Sequence, residues 1–376
     1  MSTRFAFSLV AVVLLAAATG QAIASNEDGL VPFDSDRWTF EGGEHRLEEH
    51  LGREALFLKN SRAILKGLDL TSGMLEFDIA FNADRGFSGA MFHFRDGENF
   101  EQFYLRPHQS GNPDASQYQP TFAGHAAWQL YYGEQFSAPL VHRFDTWQHV
   151  RIEFLEDRAA VYVDSEHPVL IIGSLDRRDP GGAIGVSSGY AHAHFSNFSY
   201  KTGFDFGIEP PAVAVREGAD REVRVWRVSS AFDESLASIA SLDEFKGGEL
   251  TWTKLVVEPT GVANIARTVA GRRPNTVFAK VFVVAEKATR RAFDFGFSDR
   301  ARVFVNGTAV YAGNRTYASQ DYRHLGTIGL HDTLVLDLQE GANEITFAVS
   351  ESFGGWGVMG RFASLDGLLL AGQSGQ

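Results

Sequence analysis

Apolar residues recur at every second position along most of this chain. Leu75, Phe77 and Ile79 alternate with Met74, Glu76 and Asp78. Val150, Ile152 and Phe154 alternate with His149, Arg151 and Glu153, and Val161 and Val163 with Tyr162 and Asp164. A period of two puts one face of a strand in a core and the other in solvent, so these segments predict half-buried antiparallel strands. Asp96-Gly97, Glu156-Asp157 and Asp179-Pro180-Gly181-Gly182 supply the turns between them. Helical periodicity is scarce; the spacing predicts one short helix over 236–242.

The pattern changes over 203–221. Gly203, Gly207, Pro210 and Pro211 punctuate it, and the charged residues Arg216, Glu217, Asp220 and Arg221 follow. Strands resume over 223–228, 250–257, 277–285, 291–297, 302–305, 333–338, 344–349 and 358–362. Asn306-Gly307 is the strongest hairpin turn signal in the chain, because both residues tolerate positive φ. The expected architecture is all-β, with two antiparallel β-sandwich (jelly-roll) domains over 25–204 and 223–376, joined by a linker over 205–222.

Residues 1–24 read differently. Arg4 precedes an apolar run over 5–18, and Ala22-Ile23-Ala24 gives the small-x-small pattern of a cleavage site before Ser25. These are the marks of a secretory signal peptide, and the run is short for a membrane span of roughly 20 residues. The expected location is periplasmic or extracellular, with no transmembrane segment in the mature chain. The 376 residues include no Cys, so burial alone must hold the fold, and 31 Phe suit sandwich interiors. The formal net charge of −13 opposes a polyanion, so nucleic acid is not an expected partner. No phosphate-binding glycine loop, zinc-protease motif or nucleophile elbow stands in the sequence.

The chemistry concentrates in "YLRPHQSGNPDASQYQPTFAGHAAWQLYYG", residues 104–133. A plain connection needs turn residues, not this surplus of rings, amides and cations. Strands over 90–95 and 102–106 form a hairpin around Asp96-Gly97-Glu98-Asn99. With Phe92, Phe94, Phe103 and Leu105 facing the core, strict alternation puts His93, Arg95, Tyr104 and Arg106 together on the other face. A long polar loop over 107–120 follows, carrying His108, Asn112, Asp114, Gln117 and Tyr118. Trp128, Gln129 and Tyr131 then return on another strand. Flat rings cover the C–H face of a pyranose, amides and imidazole bond its hydroxyls, and a guanidinium fork suits a carboxylate or sulfate. The same residues allow a second arrangement, in which Arg95 and Arg106 pair with Glu98, Glu101 or Asp114 and the loop closes as a self-satisfied cover.

The run "WQHVRIEFLEDRAAVYVD" with "GGAIGVSSG" and "HFSNFSY" resembles the closing strands of a concanavalin A-like (laminin G-like) sandwich, over about 35–202. "RPHQSGNPD…Y…WQLYYG" resembles secreted bacterial proteins grouped near the 3-keto-disaccharide hydrolase-like domains. "FGFSDRARVFVNGTAVYAG", "LGTIG" and "ESFGGWGV" resemble the galactose-binding-like jelly rolls attached to many glycoside hydrolases. These resemblances imply a carbohydrate ligand on the concave face and rim loops of the first sandwich. They also imply an alternative, cleavage of a glycoside such as an oxidised disaccharide, with His108 as acid or base and Arg106 stabilising developing charge. A third expectation is an envelope protein that recognises another protein.

Other candidates are weaker. Glu76 and Asp78 share a strand face, as glycosidase carboxylates do. Laminarinase-like enzymes of this fold carry a further Glu where this chain has Phe81, so the pattern is broken. His192 and His194 could hold zinc if His93, His108 or His125 supplied a third ligand. No cofactor is expected; calcium held by scattered loop carbonyls would leave no pattern. Trp147 reads as core. Trp356, between glycines in Gly354-Gly355-Trp356-Gly357, is either an exposed platform or a strand passing close to the core. Tyr317, Tyr322, Arg323 and His324 form a polar aromatic loop.

Overall fold

A computed structural model describes residues 29–373, apart from 176, 178–179, 204–206, 210–215, 318 and 320–324. The expected signal peptide, and Tyr322, Arg323 and His324, lie outside the described residues.

The first sandwich is one curled antiparallel sheet of 13 strands. Its spine is the hairpin Trp38–His50 with Arg53–Leu65. The other edge of Arg53–Leu65 is shared by two partners. Its first half pairs with Ala193–Lys201, through Phe195 opposite Leu56, and its second half with Ala183–Tyr190, through Gly185 opposite Ile64. Each partner begins a wing. One wing continues through Gly73–Ala80, Gln148–Phe154, Ala159–Val163 and Leu170–Ile172. The other continues through Gly86–Asp96, Asn99–Leu105, Ser116–Phe122 and His125–Ala126. The wings close on each other because each carries one apolar face. Phe77, Phe154 and Phe195 from the first meet Phe92 and Phe103 from the second, all fully buried. The Phe92 and Phe154 ring centroids are 5.2 Å apart.

The second sandwich packs a seven-stranded sheet on a four-stranded one. Thr276–Ala285 pairs along its whole length with Gly341–Ser350 in the first sheet, and Thr289–Ser298 with Gly357–Phe362 in the second. Phe293 and Phe295 meet Phe347 across the gap at 6.3 and 5.3 Å. Asn306-Gly307 turns Arg300–Val305 into Thr308–Asn314, with φ of 48° and 82°. The helix expected over 236–242 is instead two single turns, Glu234–Ala237 and Leu242–Glu244, capped by Asp233 and Ser241.

The two sandwiches share packing. Val262, Ile328 and Met359 of the second join the core of the first, and Phe122 of the first joins the core of the second. Segment 124–132 makes most of the polar junction. Gln129 N donates to Gly354 O at 2.9 Å, and Gln129 Nε2 to Leu325 O at 2.7 Å. The Tyr131 hydroxyl donates to Glu258 Oε1 at 2.5 Å, and Arg272 Nε to Gly124 O at 2.7 Å. Gly354 and Gly355 lie against this segment with φ of 103° and 134°. A Cβ on Gly355 would sit 2.6 Å from Leu130 Cδ1 and 3.0 Å from Ala127 Cα. Trp356 is fully buried, its indole N–H donating to Val349 O at 3.1 Å, so it is no exposed platform. Trp147 is not core: it is half-buried, with the Arg53 guanidinium 5.2 Å from its ring centroid.

Candidate functional site

A cavity of about 600 Å³ opens over the second wing, on the face opposite Phe103 and Leu105. Its floor comes from adjacent strands by alternation. Gln102 and Tyr104 point up from Asn99–Leu105, and Gln117 and Gln119 from Ser116–Phe122. Their register puts Gln102 opposite Gln119 and Tyr104 opposite Gln117. The Tyr104 hydroxyl donates to Gln117 Oε1 at 3.1 Å. Gln117 Nε2 in turn donates to the Trp128 and Tyr131 carbonyls at 2.9 and 2.6 Å. Burial raises the Tyr104 pKa well above the phenol range, so it stays a donor. Gln102 Nε2 donates to Ser187 Oγ at 2.8 Å. That leaves Gln102 Oε1 and Gln119 Nε2 as an acceptor and a donor on the floor without a described partner.

Rings stand on both sides of this floor. On one side Phe87 meets Tyr104, His108 and Tyr190, at centroid distances of 5.4, 5.4 and 5.6 Å. On the other, Trp128, Tyr317 and Phe353 form a mutual trio at 5.9–6.0 Å. Tyr317 and Phe353 come from the second sandwich, so one wall of the cavity depends on the junction. Tyr190, Phe353 and Tyr317 are 61%, 54% and 43% exposed, a large apolar area to leave in water without a partner.

The expected hairpin face holds in part. Tyr104 and Arg106 share the cavity face, together with Gln102. His93 and Arg95 do not join them. His93 has φ of 46°, and the pairing with Asn99–Leu105 shifts between Phe92 and Asp96. Residues 93–95 stand opposite residue 100 alone, and on the other edge the pairing with Ala183–Tyr190 takes one extra residue between Met91 and Phe94, so the alternation breaks inside this bulge. His93 therefore drops into the core, 5.2 Å from the Phe154 ring, its Nε2 bonded to Thr71 O. Phe94 moves to the cavity side with Met91 and Phe100, under the Arg62 guanidinium. Arg95 leaves to the far side and pairs with Asp69 at 2.8 Å.

The loop expected over 107–120 is shorter: a single turn at Pro107–Gln109 leads through 110–115 to the strand Ser116–Phe122. Asn112 is exposed in that turn, its amide donating to Gln109 Oε1. Asp114 takes up Arg106, through both its carboxylate and its carbonyl, as in the cover arrangement, yet the cavity stays open. His108 sits behind Phe87 and does not line the cavity. Burial, then Arg106 and Arg85, push its pKa down to about 4, so it is a neutral ring at the pH where acid–base work was expected of it. Tyr118 is in the core, bonded to the buried Glu101 that Arg177 neutralises at 2.5 Å. Trp128 lines the cavity from a turn, not a strand, and Gln129 is fully buried in the junction.

Sequence reading missed Arg85, Phe87, Tyr190, Phe353 and the Glu41–Arg62 pair, which lies at 2.6 Å on the rim. Phe87 continues the alternation of Met91 and Gly89 and was readable; Tyr190 and Phe353 arrive only by tertiary contact. Outside the cavity, Asp78 binds Arg53, His149 and Asn197 on a solvated face. His194 stacks on His50 at 3.6 Å and bonds Glu48 at 2.7 Å, while His93 bonds Thr71 O and His125 bonds Gly271 O. Among the described residues, no group of three or more His, Asp or Glu is placed to hold a metal.

No family model and no curated protein matches the chain. Solved structures overlay on part of it. A carbohydrate binding module, CBM66, from Bacillus subtilis is 17% identical, with 44% of this chain and 96% of that one covered and a TM-score of 0.34. A protein of unknown function with a galectin-like fold, also from Bacillus subtilis, is 10% identical over 43% and 88%, with a TM-score of 0.34. The alginate lyase vAL-1 from Chlorella virus is 12% identical over 44% and 93%, with a TM-score of 0.31. At these scores, function has to be argued from the cavity itself.

Proposed function

We propose that this protein binds a glycan in the cavity between its two sandwiches. The observation that carries the reading is the amide-and-phenol floor set between two groups of rings. A pyranose has apolar C–H faces and an equatorial belt of hydroxyls. Rings on either side cover the faces, and Gln102 Oε1 and Gln119 Nε2 offer an acceptor and a donor to the belt. The volume of about 600 Å³ lies in the usual range for small-ligand sites.

Binding is favoured over cleavage by the charges on the walls. Glycoside hydrolysis in most families needs two carboxyl groups flanking the bond. Among the described lining residues the one carboxylate is Glu41, and Arg62 neutralises it. His108, expected as an acid or base, packs against Phe87 and is not among the lining residues. Export through a cleaved N-terminal segment belongs to the same proposal; an exported chain beginning at Ser25 checks it.

Calorimetry of the full chain against neutral xylo-, cello-, manno- and galacto-oligosaccharides tests the reading. At least one series binds, and Trp128→Ala or Phe87→Ala weakens it about ten-fold, on the order of 1.4 kcal/mol. Binding untouched by both substitutions overturns this site. Turnover of any glycoside that survives Glu41→Gln overturns the assignment of the walls.

A further inference from the structure

Among the described residues, three guanidinium groups border the cavity, and they are not equivalent. Arg62 faces Glu41 and Arg106 faces Asp114. Arg85 has no ion pair among the described residues. Its side chain is exposed and lies beside two rings. Its carbonyl accepts from Ala191 N at 3.1 Å, and its guanidinium carbon lies 5.4 Å from the Tyr190 ring centroid and 5.9 Å from that of Phe87. Tyr190 has φ of 65°, and its N–H is fixed by Asn60 Oδ1 at 2.7 Å. A large, exposed, non-glycine residue in the left-handed region is strained, and such strain concentrates at ligand sites.

The acidic groups nearby are already engaged. Asp84 bonds the Asn82 amide at 2.7 Å, Glu41 is taken by Arg62, and Asp114 by Arg106. His108, beside Phe87, is neutral. Among the described residues, this end of the cavity therefore keeps a guanidinium outside any salt bridge, with the neighbouring Asp84 turned to the neutral Asn82 amide, in a chain whose formal net charge is −13. We infer that Arg85, between Phe87 and Tyr190, receives an anionic substituent of the bound glycan, a carboxylate or a sulfate. A guanidinium fork matches either group with two parallel N–H···O bonds, and flanking rings restrict it to that geometry. The inference rests on the glycan reading of the cavity.

The test uses the full-length chain and matched pairs of ligands. Oligogalacturonates and their methyl esters isolate the carboxylate; sulfated galactan oligomers and their desulfated counterparts isolate the sulfate. The acidic member of one pair binds about ten-fold or more tightly, the increment of a charge-assisted bond. The pair that shows the difference identifies the group. The advantage shrinks as salt rises from about 0.05 to 0.5 M. Arg85→Gln removes it, while the neutral member still binds and the melting temperature stays as in wild type. Equal binding of both members in both pairs overturns the inference, as does a preference that survives Arg85→Gln. So does a loss of both members together with a lower melting temperature, which would make Arg85 a support of the fold. In each of those cases neutral glycans still bind wild type. Failure of every acidic and neutral ligand removes the glycan reading itself.

Discussion

The Gln117 amide nitrogen donates to the Trp128 carbonyl oxygen at 2.9 Å, and this bond ties the floor of the cavity to its wall. The same nitrogen reaches the Tyr131 carbonyl at 2.6 Å, so one side chain fixes the turn that carries the ring. Gln117→Leu keeps the volume and leaves these carbonyls and the Tyr104 hydroxyl without that partner. Stability falls by about 2–3 kcal/mol, read by urea denaturation, and glycan affinity falls with it because Trp128 loses its setting. Unchanged stability would show that water replaces the amide without cost.

Gly355 is required by closeness as well as by φ. Its missing Cβ would overlap Leu130 and Ala127 across the junction. Gly355→Ala lowers stability by about 1–3 kcal/mol and makes the segment joining the sandwiches easier to cut by protease. Gly271→Ala, where a Cβ meets nothing within 4 Å, behaves as wild type in both measurements.

Glu351 lies buried at the junction, and burial with the nearby Asp299 raises its pKa to about 8. An unfolded glutamate titrates near 4.3, so between about 4.3 and 8 the folded state holds a proton that the unfolded state has lost. Stability therefore falls as pH rises through that window. Glu351→Gln keeps an acceptor for Gly355 N–H and removes the titration. The variant is more stable than wild type at pH 8.5, and the difference closes towards pH 4.5. Parallel denaturation curves at every pH would refute the assignment.

His108 has the opposite sign. Its folded pKa of about 4 lies below the unfolded value near 6.5. Its contribution is complete above pH 6.5 and is lost as pH falls through 4. His108→Gln reduces the drop in melting temperature between pH 7 and pH 4. It does not abolish it, because burial also holds His93, His125 and His142 below the usual imidazole range.

The architecture was legible because strand alternation and turn chemistry are local. Asn306-Gly307 announced its hairpin, and Tyr104 with Arg106 kept the face that alternation gave them. His93 shows where that reasoning ends. A bulge adds residues without a composition signal, and the side chains inside it, from His93 to Arg95, change sides. The meeting of Phe353 and Tyr317 with Trp128 was out of reach for a different reason: Trp128 lies some 190–225 positions earlier in the chain. Gly354-Gly355 was readable as close approach, but what approaches, Gln129 and Leu130, is settled only by docking.

The exchange of side chains at the junction bears on dissection. Severing the chain after Lys201 would strip Ile328 and Met359 from the first core and expose Leu130 and Tyr131 to solvent. The other fragment would lose Phe122. Each half would carry a raw apolar scar, and the first would keep only half of its ring vise. If the proposed cavity binds sugar, its walls come from the docked pair, and a truncated clone that fails to bind would report the scar, not the absence of a site.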